Sequence, residues 1–380
     1  MFPVMIVGVG RIGASIAKLL SGTGDYDITV ADHNTGALER LAAAAPVRIM
    51  QLDVESDIDR LTTELRTLAT GRRAAVLSAC SFDVNRLIAL AALESGVAYF
   101  DLTEDVETTN RVRELASQAA VGQIFMPQCG LAPGFIGMLG ASMMSRFDRL
   151  DALRLRVGAL PEYPHNQLMY HLTWSTDGMI NEYCKSCEVI HRGHRQQTLA
   201  LDGLERFAID GVEYEAFNTS GGLGTLCETL EGKVNELNYK TVRYPGHHYL
   251  MDFLINGLRM GDTLDTQRQL GRIFDRAIPM TTQDVVLALC AASGWRQGLY
   301  SEETNARKIY HQQVGNEHWS AIQLTTAAAA CVAIDLFRTE TLSVNTGFVR
   351  QEDVSLEVFL ANRFGRYYAF DAEHTHAVTA

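Results

Sequence analysis

The chain has 380 residues, of which 47% are hydrophobic and 21% are charged, so it can form a large core and general disorder is excluded. One hydrophobic core seldom supports more than about 250 to 300 residues, so we expect two domains. The 33 basic and 45 acidic residues leave a formal charge of −12, which argues against nucleic acid and anionic membranes as partners.

The first 128 residues alternate short β-rich runs with helix patterns, in the order βαβαβαβαβαβ. Right-handed crossovers between parallel strands then predict an α/β domain, a doubly wound parallel sheet with helices on both faces. The predicted strands are 4–9, 28–31, 48–52, 75–78, 99–102 and 123–126, and the predicted helices are 12–20, 36–44, 57–69, 85–95 and 106–119.

The pattern changes after residue 128. A helix pattern over 135–144 is followed by alternating strands such as 151–157 and 233–244, which is typical of an α+β domain. The small residues of 322–337 predict a buried helix that packs closely on the second sheet. The predicted division is 1–128 for the first domain and 129–344 for the second, with the tail 345–380, including a short helix over 352–363, returning to the first.

Gly8, Gly10 and Gly13 form a G-x-G-x-x-G pattern between the first strand and the first helix. Gly8 permits a tight turn, Gly10 lets a pyrophosphate approach the backbone, and Gly13 lets the helix pack on the strand. Asp32, 19 positions beyond Gly13, ends the second strand and is placed to accept hydrogen bonds from a ribose. Together they predict a Rossmann dinucleotide-binding domain; the alternative is a glycine-rich turn that binds no nucleotide.

The carboxylate of Asp32 would repel a 2′-phosphate, and His33 and Asn34 after it offer no Arg to bind one, so the sequence favours NAD over NADP. In such sheets the ligand lies outside the carboxyl ends of the strands. Residues that follow the strands are therefore candidates for the cofactor site, with helix capping as the alternative for each. The full predicted cofactor set is Gly8, Gly10, Arg11, Ile12, Gly13, Asp32, Asp53, Ser78, Ala79, Cys80, Asp101, Cys129 and Gly130.

Five short segments follow the glycine pattern: CGLAPGF (129–135), LTWSTDGMINEY (172–183), GGLGTL (221–226), YKTVRYPGH (239–247) and GFVRQEDV (347–354). In this order they resemble the saccharopine dehydrogenase-like family, and its lysine 6-dehydrogenase members most of all. The resemblance implies a Rossmann domain with an inserted α+β domain, usually in an oligomer such as a homodimer. It also implies NAD-dependent oxidative deamination of the lysine side-chain amine to aminoadipate semialdehyde, which cyclises.

Removing a hydride from an amine carbon needs a neutral amine, a nearby nicotinamide and a clamp for the far end of the substrate. In YKTVRYPGH, strand alternation puts Lys240 and Tyr244 on one face and Thr241 and Arg243 on the other. Arg243 is the predicted carboxylate ligand, because a guanidinium pairs with a carboxylate bidentately; a surface salt bridge is its alternative. Thr241, Tyr244 and Trp174 complete the predicted substrate-binding set.

Three side chains are candidates for moving a proton or holding the substrate ammonium. Lys240 and His247 lie in one segment, and the pKa of a histidine can be near the working pH. Glu182, in the WS-x-x-G-x-x-x-E-Y segment, is placed to hold the ammonium. Solvated or capping roles are the alternatives for all three.

Cys184, Cys187, His191 and His194 form a C-x2-C-x3-H-x2-H pattern, and on one helix all four would share a face. The gap between the two halves is too short for a finger-like zinc site, so we expect no metal, with zinc as the open alternative. Seven cysteines, an odd number in a large chain, predict free thiols in a cytoplasmic protein. The apolar runs are shorter than a membrane span requires.

Two other functions stay open. A related enzyme would join or cleave an amino-acid adduct, as saccharopine reductases do, and would need a second carboxylate site. A non-catalytic NAD-binding regulatory protein would keep the Rossmann domain without the chemistry. The sequence does not separate lysine from ornithine, a polyamine derivative or saccharopine as the substrate.

Overall fold

The computed structural model describes residues 1–369, and its first part alternates strands with helices. These elements begin and end within three residues of their predicted ends. The first strand ends earlier than predicted, because Gly8 turns the chain with a φ of 100°. In chain order the elements are β1 (Phe2–Val7), α1 (Arg11–Ser21), β2 (Tyr26–Asp32), α2 (Thr35–Ala44), β3 (Arg48–Gln51), α3 (Ile58–Leu68), β4 (Ala75–Ser78), α4 (Phe82–Ser95), β5 (Ala98–Asp101), α5 (Val106–Ala116) and β6 (Ile124–Met126).

The second part is richer in antiparallel strands. A π-helical turn, Phe253–Gly257, directly follows helix α9 (His247–Asp252). Two 3₁₀ turns, Gln351–Asp353 and Gly365–Tyr368, lie near the end of the described chain. The elements are α6 (Phe135–Met144), β7 (Arg149–Pro161), α7 (Thr176–Cys184), β8 (Cys187–His191), β9 (His194–Thr198), β10 (Glu205–Ile209), β11 (Val212–Asn218), α8 (Leu226–Leu230), β12 (Glu236–Arg243), α9 (His247–Asp252), α10 (Leu264–Ala277), β13 (Asp284–Arg296), β14 (Leu299–Tyr310), β15 (Gln312–Val314), β16 (Glu317–Trp319), α11 (Ala321–Arg338), β17 (Gly347–Phe348) and α12 (Leu356–Ala361).

The first sheet is parallel throughout and has the strand order β17-β6-β5-β4-β1-β2-β3. Its central strands carry fully buried aliphatic side chains such as Val4, Ile6 and Leu77. The strand order reverses beside β1, and ligands bind at such a point, outside the carboxyl ends of the strands. The predicted doubly wound Rossmann sheet is confirmed.

The second sheet is mixed and has the order β10-β11-β12-β7-β13-β14. Strand β12 runs parallel to β7 and antiparallel to β11, and β8 adds to β12 as a branch. Leu153 and Leu155 of β7 pack on Gly140 of α6, where a Cβ would lie 3.4 Å from each leucine side chain. The second part is therefore an α+β domain, and its sheet packs on α6, the first helix of that part.

The tail returns to the first sheet, where β17 pairs in parallel with β6. Further on, Tyr368 stacks on Phe135 with ring centroids 4.1 Å apart. The helix predicted over 352–363 is wrong in extent, because Ser355 interrupts it and accepts a hydrogen bond from the Val358 N–H to cap the shorter α12. Residues 370–380 of the predicted tail lie outside the described part of the chain.

Helix α11 is the predicted buried helix of small residues. It has 18 residues and a mean hydropathy of 1.3, enough by length and composition to cross a membrane, yet 78% of it is buried within the protein. It packs on α1 and β5 of the first part and on β13 of the second. Small side chains let it approach both sheets closely, so it is a core helix of the fold.

Asp335, near the end of α11, holds three parts of the chain together. It is 4% exposed and accepts hydrogen bonds from Tyr26 Oη, from Arg338 Nε at 3.0 Å, and from Asn362 Nδ2 and Arg363 Nη2, each at 2.8 Å. Burial alone would raise the pKa of Asp335, but these hydrogen bonds together hold it below its ordinary value. The carboxylate thus ties β2, α11 and the tail together.

We expect Asp335→Ala to lower the free energy of unfolding by about 3 kcal/mol at neutral pH, because two guanidinium groups lose their anion. The pKa of Asp335 is depressed in the folded state, so the difference from the unsubstituted protein should be full above about pH 4 and shrink as the pH falls further. Urea unfolding at several pH values measures both effects. Glu340→Ala is the control, because its partner Arg73 is also exposed and the change should stay within about 0.5 kcal/mol.

Candidate active site

The glycine-rich turn between β1 and α1 has the backbone that its motif requires. A Cβ on Gly8 would lie 2.7 Å from the carbonyl oxygen of Ala79, and one on Gly13 would lie 2.0 Å from the carbonyl oxygen of Gly8. A Cβ on Gly10 would meet nothing within 4 Å, so an open surface lies at the N-terminus of α1. Free N–H groups at a helix start bind phosphates, and this geometry fits a dinucleotide pyrophosphate.

Asp32 ends β2 beside this turn. Its carboxylate accepts hydrogen bonds from the Val9 N–H and the Asn34 N–H, both at 2.7 Å. These bonds fix the carboxylate next to the glycine turn and leave other lone pairs for ribose hydroxyls. Asp53 lies nearby, exposed beyond the end of β3, so its place in the adenine pocket remains a prediction.

A cleft of about 480 Å³ opens from the glycine turn and is lined by residues of both parts of the chain. Predicted cofactor residues and predicted substrate residues meet in it. The cofactor residues are Gly10, Arg11, Ile12, Ala79, Cys80 and Gly130, and the substrate and catalytic residues are Trp174, Glu182, Thr241 and Arg243.

Arg243, at the end of β12, carries a buried charge that forms no salt bridge with a described residue. It is 2% exposed; Nη1 donates to the Val242 carbonyl oxygen at 2.8 Å, and Nε has no hydrogen-bond partner. The rings of Tyr170 and Tyr183 lie 5.1 and 5.8 Å from its Cζ, and this cation–π contact offsets part of the desolvation cost. The guanidinium is therefore available to an anionic ligand, and a carboxylate matches its geometry.

Glu215 is the cross-strand neighbour of Arg243 but does not neutralise it. Its two carboxylate oxygens accept hydrogen bonds from the Gly246 N–H at 3.1 Å and the His248 N–H at 2.6 Å. The carboxylate is thereby committed to the start of α9. This local capping explains how a buried acid can lie near Arg243 and still leave it without a salt bridge.

Glu182 lies on α7 and lines the same cleft, with 7% of its surface exposed. Its carboxylate forms no hydrogen bond or salt bridge with the described residues. Burial first, and then the nearby Glu104 carboxylate, raise the pKa of Glu182 to about 8, although Arg243 opposes the shift. A carboxylate with this pKa exists in both its acid and its base form near neutral pH, as a proton acceptor requires.

His247 lies behind the cleft, where it is fully buried. Its Nδ1 lies 2.9 Å from the Leu168 carbonyl oxygen and so carries the proton, while Nε2 lies 3.2 Å from Tyr183 Oη and accepts. Burial, followed by the charge of Arg243, lowers the pKa of His247 to about 3. The prediction that His247 moves a substrate proton is therefore corrected: it is neutral, enclosed, and holds Tyr183 against Arg243.

Lys240 and Tyr244 point to the opposite face of the second sheet, because side chains alternate along β12. Lys240 Nζ forms a salt bridge with Glu205 at 2.8 Å, and Tyr244 Oη donates to the Pro161 carbonyl oxygen at 2.9 Å. Neither residue lines the cleft. The catalytic role predicted for Lys240 and the substrate contact predicted for Tyr244 are corrected on this ground.

Two predicted cofactor residues are enclosed in the core instead. Ser78, 1% exposed, donates from Oγ to Asn85 Oδ1 at 2.6 Å. Cys129, also 1% exposed, directs its Sγ to the Met126 carbonyl oxygen at 3.0 Å. Both were assigned from their position after a strand, but their side chains turn inward and do not reach the cleft.

Asp101 is a third such correction. It is fully buried and accepts hydrogen bonds from Tyr99 Oη at 2.8 Å and from the N–H groups of Thr103 and Gln128, both at 2.9 Å. These bonds join the turn after β5 to the loop that begins after β6. Asp101 thus shapes the loop that brings Gly130 into the cleft and does not contact the cleft itself.

Trp174 forms one wall of the cleft, and its neighbour is a glycine for a steric reason. A Cβ on Gly178 of α7 would lie 2.4 Å from the indole ring.

The cleft also contains Glu104 and Tyr239, which the sequence prediction omits. Glu104 follows β5, and Tyr239 alternates with Lys240 on β12, so position after a strand and strand alternation were the signals that pointed to them.

The cysteine and histidine pattern does not lie on one helix. Cys184 ends α7, Cys187 and His191 belong to β8, and His194 begins β9. Cys187 is buried, whereas His191 Nδ1 lies on the surface 2.8 Å from Glu236. Within residues 1–369, no group of three or more His, Cys, Asp or Glu side chains has an arrangement that could hold a metal.

Two family models cover nearly all of the chain. The saccharopine dehydrogenase NADP binding domain matches residues 4–126, and the saccharopine dehydrogenase C-terminal domain matches residues 130–361. The chain belongs to the saccharopine dehydrogenase family. As a member of this family it is an NAD(P)-dependent amino-acid dehydrogenase, an oxidoreductase that acts on CH–NH₂ groups.

One solved structure shares the fold of this saccharopine dehydrogenase family member, and others match it less closely. The L-Glu-forming saccharopine dehydrogenase of Saccharomyces cerevisiae matches with a TM-score of 0.74 at 14% identity, over 94% of this chain and 95% of that one. The DAP dehydrogenase of C. glutamicum, in complex with DAP, gives a TM-score of 0.49 at 11% identity, over 96% and 97% of the two chains. An engineered D-amino acid dehydrogenase bound to NADP⁺ gives 0.46 at 12% identity, over 94% and 95%.

We expect Arg243→Met to leave the free energy of unfolding unchanged or to raise it by about 1 kcal/mol, because an unneutralised buried charge is replaced by an apolar side chain. Arg156→Met is the matched comparison in the same sheet. Arg156 is also buried but binds Glu205 and Asn238, so its loss should lower the free energy of unfolding by about 2 kcal/mol. Urea unfolding of both variants tests this. An equal decrease in the free energy of unfolding in both variants would show that Arg243 has a structural role.

Proposed function

We propose that the protein catalyses the NAD-dependent oxidative deamination of the side-chain amine of L-lysine. The product is 2-aminoadipate 6-semialdehyde, which cyclises to a piperideine carboxylate, and ammonia is released. One observation carries this proposal: a single cleft beside the glycine turn contains the unneutralised guanidinium of Arg243 and the unpaired carboxylate of Glu182. A substrate with a carboxylate at one end and an amine at the other complements both groups.

The lining of the cleft suits the hydrocarbon part of such a substrate. Val157, Ala159 and Ile322 line it together with the polar groups, and Trp174 and Thr241 complete the walls. Apolar walls favour a methylene chain and restrict its conformations, which helps to align the reacting carbon. In this arrangement Arg243 binds the substrate carboxylate through two parallel hydrogen bonds.

A nicotinamide bound in the cleft would supply the acceptor for a hydride from the carbon that carries the amine. Glu182 in its ionised form accepts a proton from the substrate ammonium, so that the nitrogen lone pair can form the C=N bond as the hydride leaves. Addition of one water then breaks the C–N bond and yields the aldehyde and an ammonium ion. In total one water is consumed and one proton is released, and Glu182 is placed to carry that proton.

The support for NAD as the cofactor is the carboxylate of Asp32. It lies at the end of β2, is fixed beside the glycine turn, and faces the position of the adenosine ribose in this fold. The matching family model is described as an NADP binding domain. A fixed negative charge at the ribose would repel the 2′-phosphate of NADP, so we assign NAD to this chain.

We also propose that the enzyme is a cytoplasmic homodimer without nucleic acid or membrane partners. The homodimer follows from the family resemblance alone, and the support for the other points is chemical. All seven cysteines are free thiols and five of them are buried, which is typical of a reducing compartment. The net charge of −12 disfavours polyanionic partners.

The activity is tested by incubating the purified protein with NAD and L-lysine and following NADH by its absorbance. We expect NADH formation above a lysine-free blank. Arg243→Met should raise the KM for lysine at least about 100-fold and leave NAD affinity nearly unchanged, because a bidentate charge-assisted contact is lost. A rate no higher than the blank would sink the proposal. NADH consumption with glutamate plus the semialdehyde would favour the saccharopine-reductase alternative.

Glu182 predicts a pH dependence. Its ionised form is needed and its pKa is about 8, so kcat/KM for lysine should rise with pH through that value and then level off. Glu182→Gln should lower kcat about 100-fold and abolish this rise. Steady-state rates between pH 6 and about pH 10 give the comparison. Asp177→Asn, an exposed change on the same helix, is the control and should keep the profile of the unsubstituted enzyme.

Asp32→Ala should shift the ratio of kcat/KM for NAD over NADP toward NADP by at least about tenfold, because the charge that repels the 2′-phosphate is removed. The two cofactors are compared at one fixed lysine concentration. An unchanged ratio would overturn the assignment of NAD. Loss of folding is checked by urea unfolding, since Asp32 also binds the Val9 N–H.

A further inference from the structure

A second cavity, of about 410 Å³, adjoins the reaction cleft and has no part in the chemistry above. Glu104 and Tyr239 belong to the walls of both cavities, so the two spaces meet at these side chains. We call the second cavity the side compartment. Its remaining walls come from the start of α5, from the region between α7 and β8, and from the glycine-rich segment 219–224.

The glycine-rich segment fits closely around the junction. A Cβ on Gly221 would lie 2.5 Å from the Glu104 carbonyl oxygen and 3.1 Å from the Glu104 Cβ. A Cβ on Gly222 would lie 2.3 Å from the ring of Tyr239. Both glycines are therefore needed for this segment to pack on the two side chains that separate the cleft from the side compartment. The GGLGTL motif thus has a physical role in shaping this junction.

The lining of the side compartment contains more acidic than basic side chains. Four carboxylates line it, Glu104, Asp105, Glu107 and Glu188, against one cation, Lys185. Lys185 Nζ already pairs with Asp105 at 2.6 Å, and Glu188 pairs with Arg195 at 2.7 Å. Glu104 and Glu107 form no salt bridge within the described chain, so their carboxylates leave negative charge facing the space, although burial raises the pKa of Glu104 above its ordinary value.

Two further groups in the walls point to a ligand rather than to a solvated surface. The Oγ1 of Thr219, which is 2% exposed, is buried without a hydrogen-bond partner. The ring of Tyr239, 5% exposed, lies at the junction and lines both cavities. A buried hydroxyl can accept from an ammonium, and an aromatic face attracts one. Carboxylates, a hydroxyl and an aromatic ring together form a set that suits an organic cation.

We propose that the side compartment binds a positively charged group that the substrate carries beyond its reacting amine, and that it rejects a second carboxylate. The inference rests on the proposed function, which places the reacting amine near Glu182 and therefore near Glu104. Substrates of the preferred class are amino acids whose side-chain nitrogen bears a cationic substituent. Adducts with an anionic substituent, such as saccharopine, meet like charge in the side compartment and bind weakly.

The test is a set of three N6-substituted L-lysines with substituents of similar length: 3-aminopropyl, butyl and 2-carboxyethyl. Their dissociation constants are measured by calorimetry with the protein saturated with NADH, which cannot accept a hydride, so the result does not depend on turnover. We expect the aminopropyl compound to bind at least about tenfold more tightly than the carboxyethyl compound, with butyl between them. Equal affinities, or tighter binding of the carboxyethyl compound, would overturn the proposal.

Two substitutions assign the effect to the side compartment. Glu104→Gln and Glu107→Gln should each reduce the affinity ratio between the aminopropyl and carboxyethyl compounds several-fold. Glu107 lies on the surface of α5, so the Glu107→Gln variant still tests the proposal if Glu104→Gln does not fold. Glu114→Gln is the control on the same helix, since Glu114 is exposed and pairs with Arg111 outside the cavity. An unchanged ratio in both test variants would contradict the proposal.

The experiments distinguish an error in the proposed reaction from an error in the proposed cation site. If L-lysine is not oxidised but the affinity order holds, the proposed reaction is wrong and the side compartment stands as a cation site. If L-lysine is oxidised but the three compounds bind equally, the reaction stands and the side compartment has no such role.

Discussion

The unneutralised charge of Arg243 is the constraint around which the site is built. Burying a guanidinium costs several kcal/mol, and the described chain offsets only part of this through a carbonyl oxygen and two tyrosine rings. Other cations are kept away: His247 stays neutral behind the tyrosines, and Lys240 is bound to Glu205 on the far face of the sheet. A carboxylate supplied from outside would complete the arrangement, so ligand binding and local stability are linked.

Strand pairing fixes where that charge points. Strand β12 lies between β7 and β11, with Thr241 opposite Val157 and Arg243 opposite Glu215. A slip of one residue would send Arg243 to the outer face and Lys240 into the cleft, because side chains alternate with a period of two. The strand register therefore determines that a guanidinium, and not an ammonium, faces the cleft. The two groups differ in that only the guanidinium binds a carboxylate with two parallel hydrogen bonds.

The sequence was sufficient for local features. Glycine spacing located the turn at Gly8, hydrophobic period located the parallel sheet and α11, and alternation separated Arg243 from Lys240. What it missed depends on contacts between distant segments. The burial of His247 behind Tyr183 and the proximity of Glu104 to Glu182 join segments far apart in the chain, so no periodicity within one segment predicts them. The inward turn of Ser78, Asp101 and Cys129 likewise depends on partners that only the folded chain brings close.

The pairing of β17 with β6 affects how the protein is made. Residues 347–348 complete an edge of the first sheet, and α11 covers β5 of the same sheet, so the cofactor-binding part is closed by segments synthesised more than 190 residues after β6. During synthesis on the ribosome, one edge of β6 stays unpaired until residues 347–348 emerge. An unpaired strand edge is prone to aggregation. The first sheet is therefore complete only when nearly the whole chain has emerged.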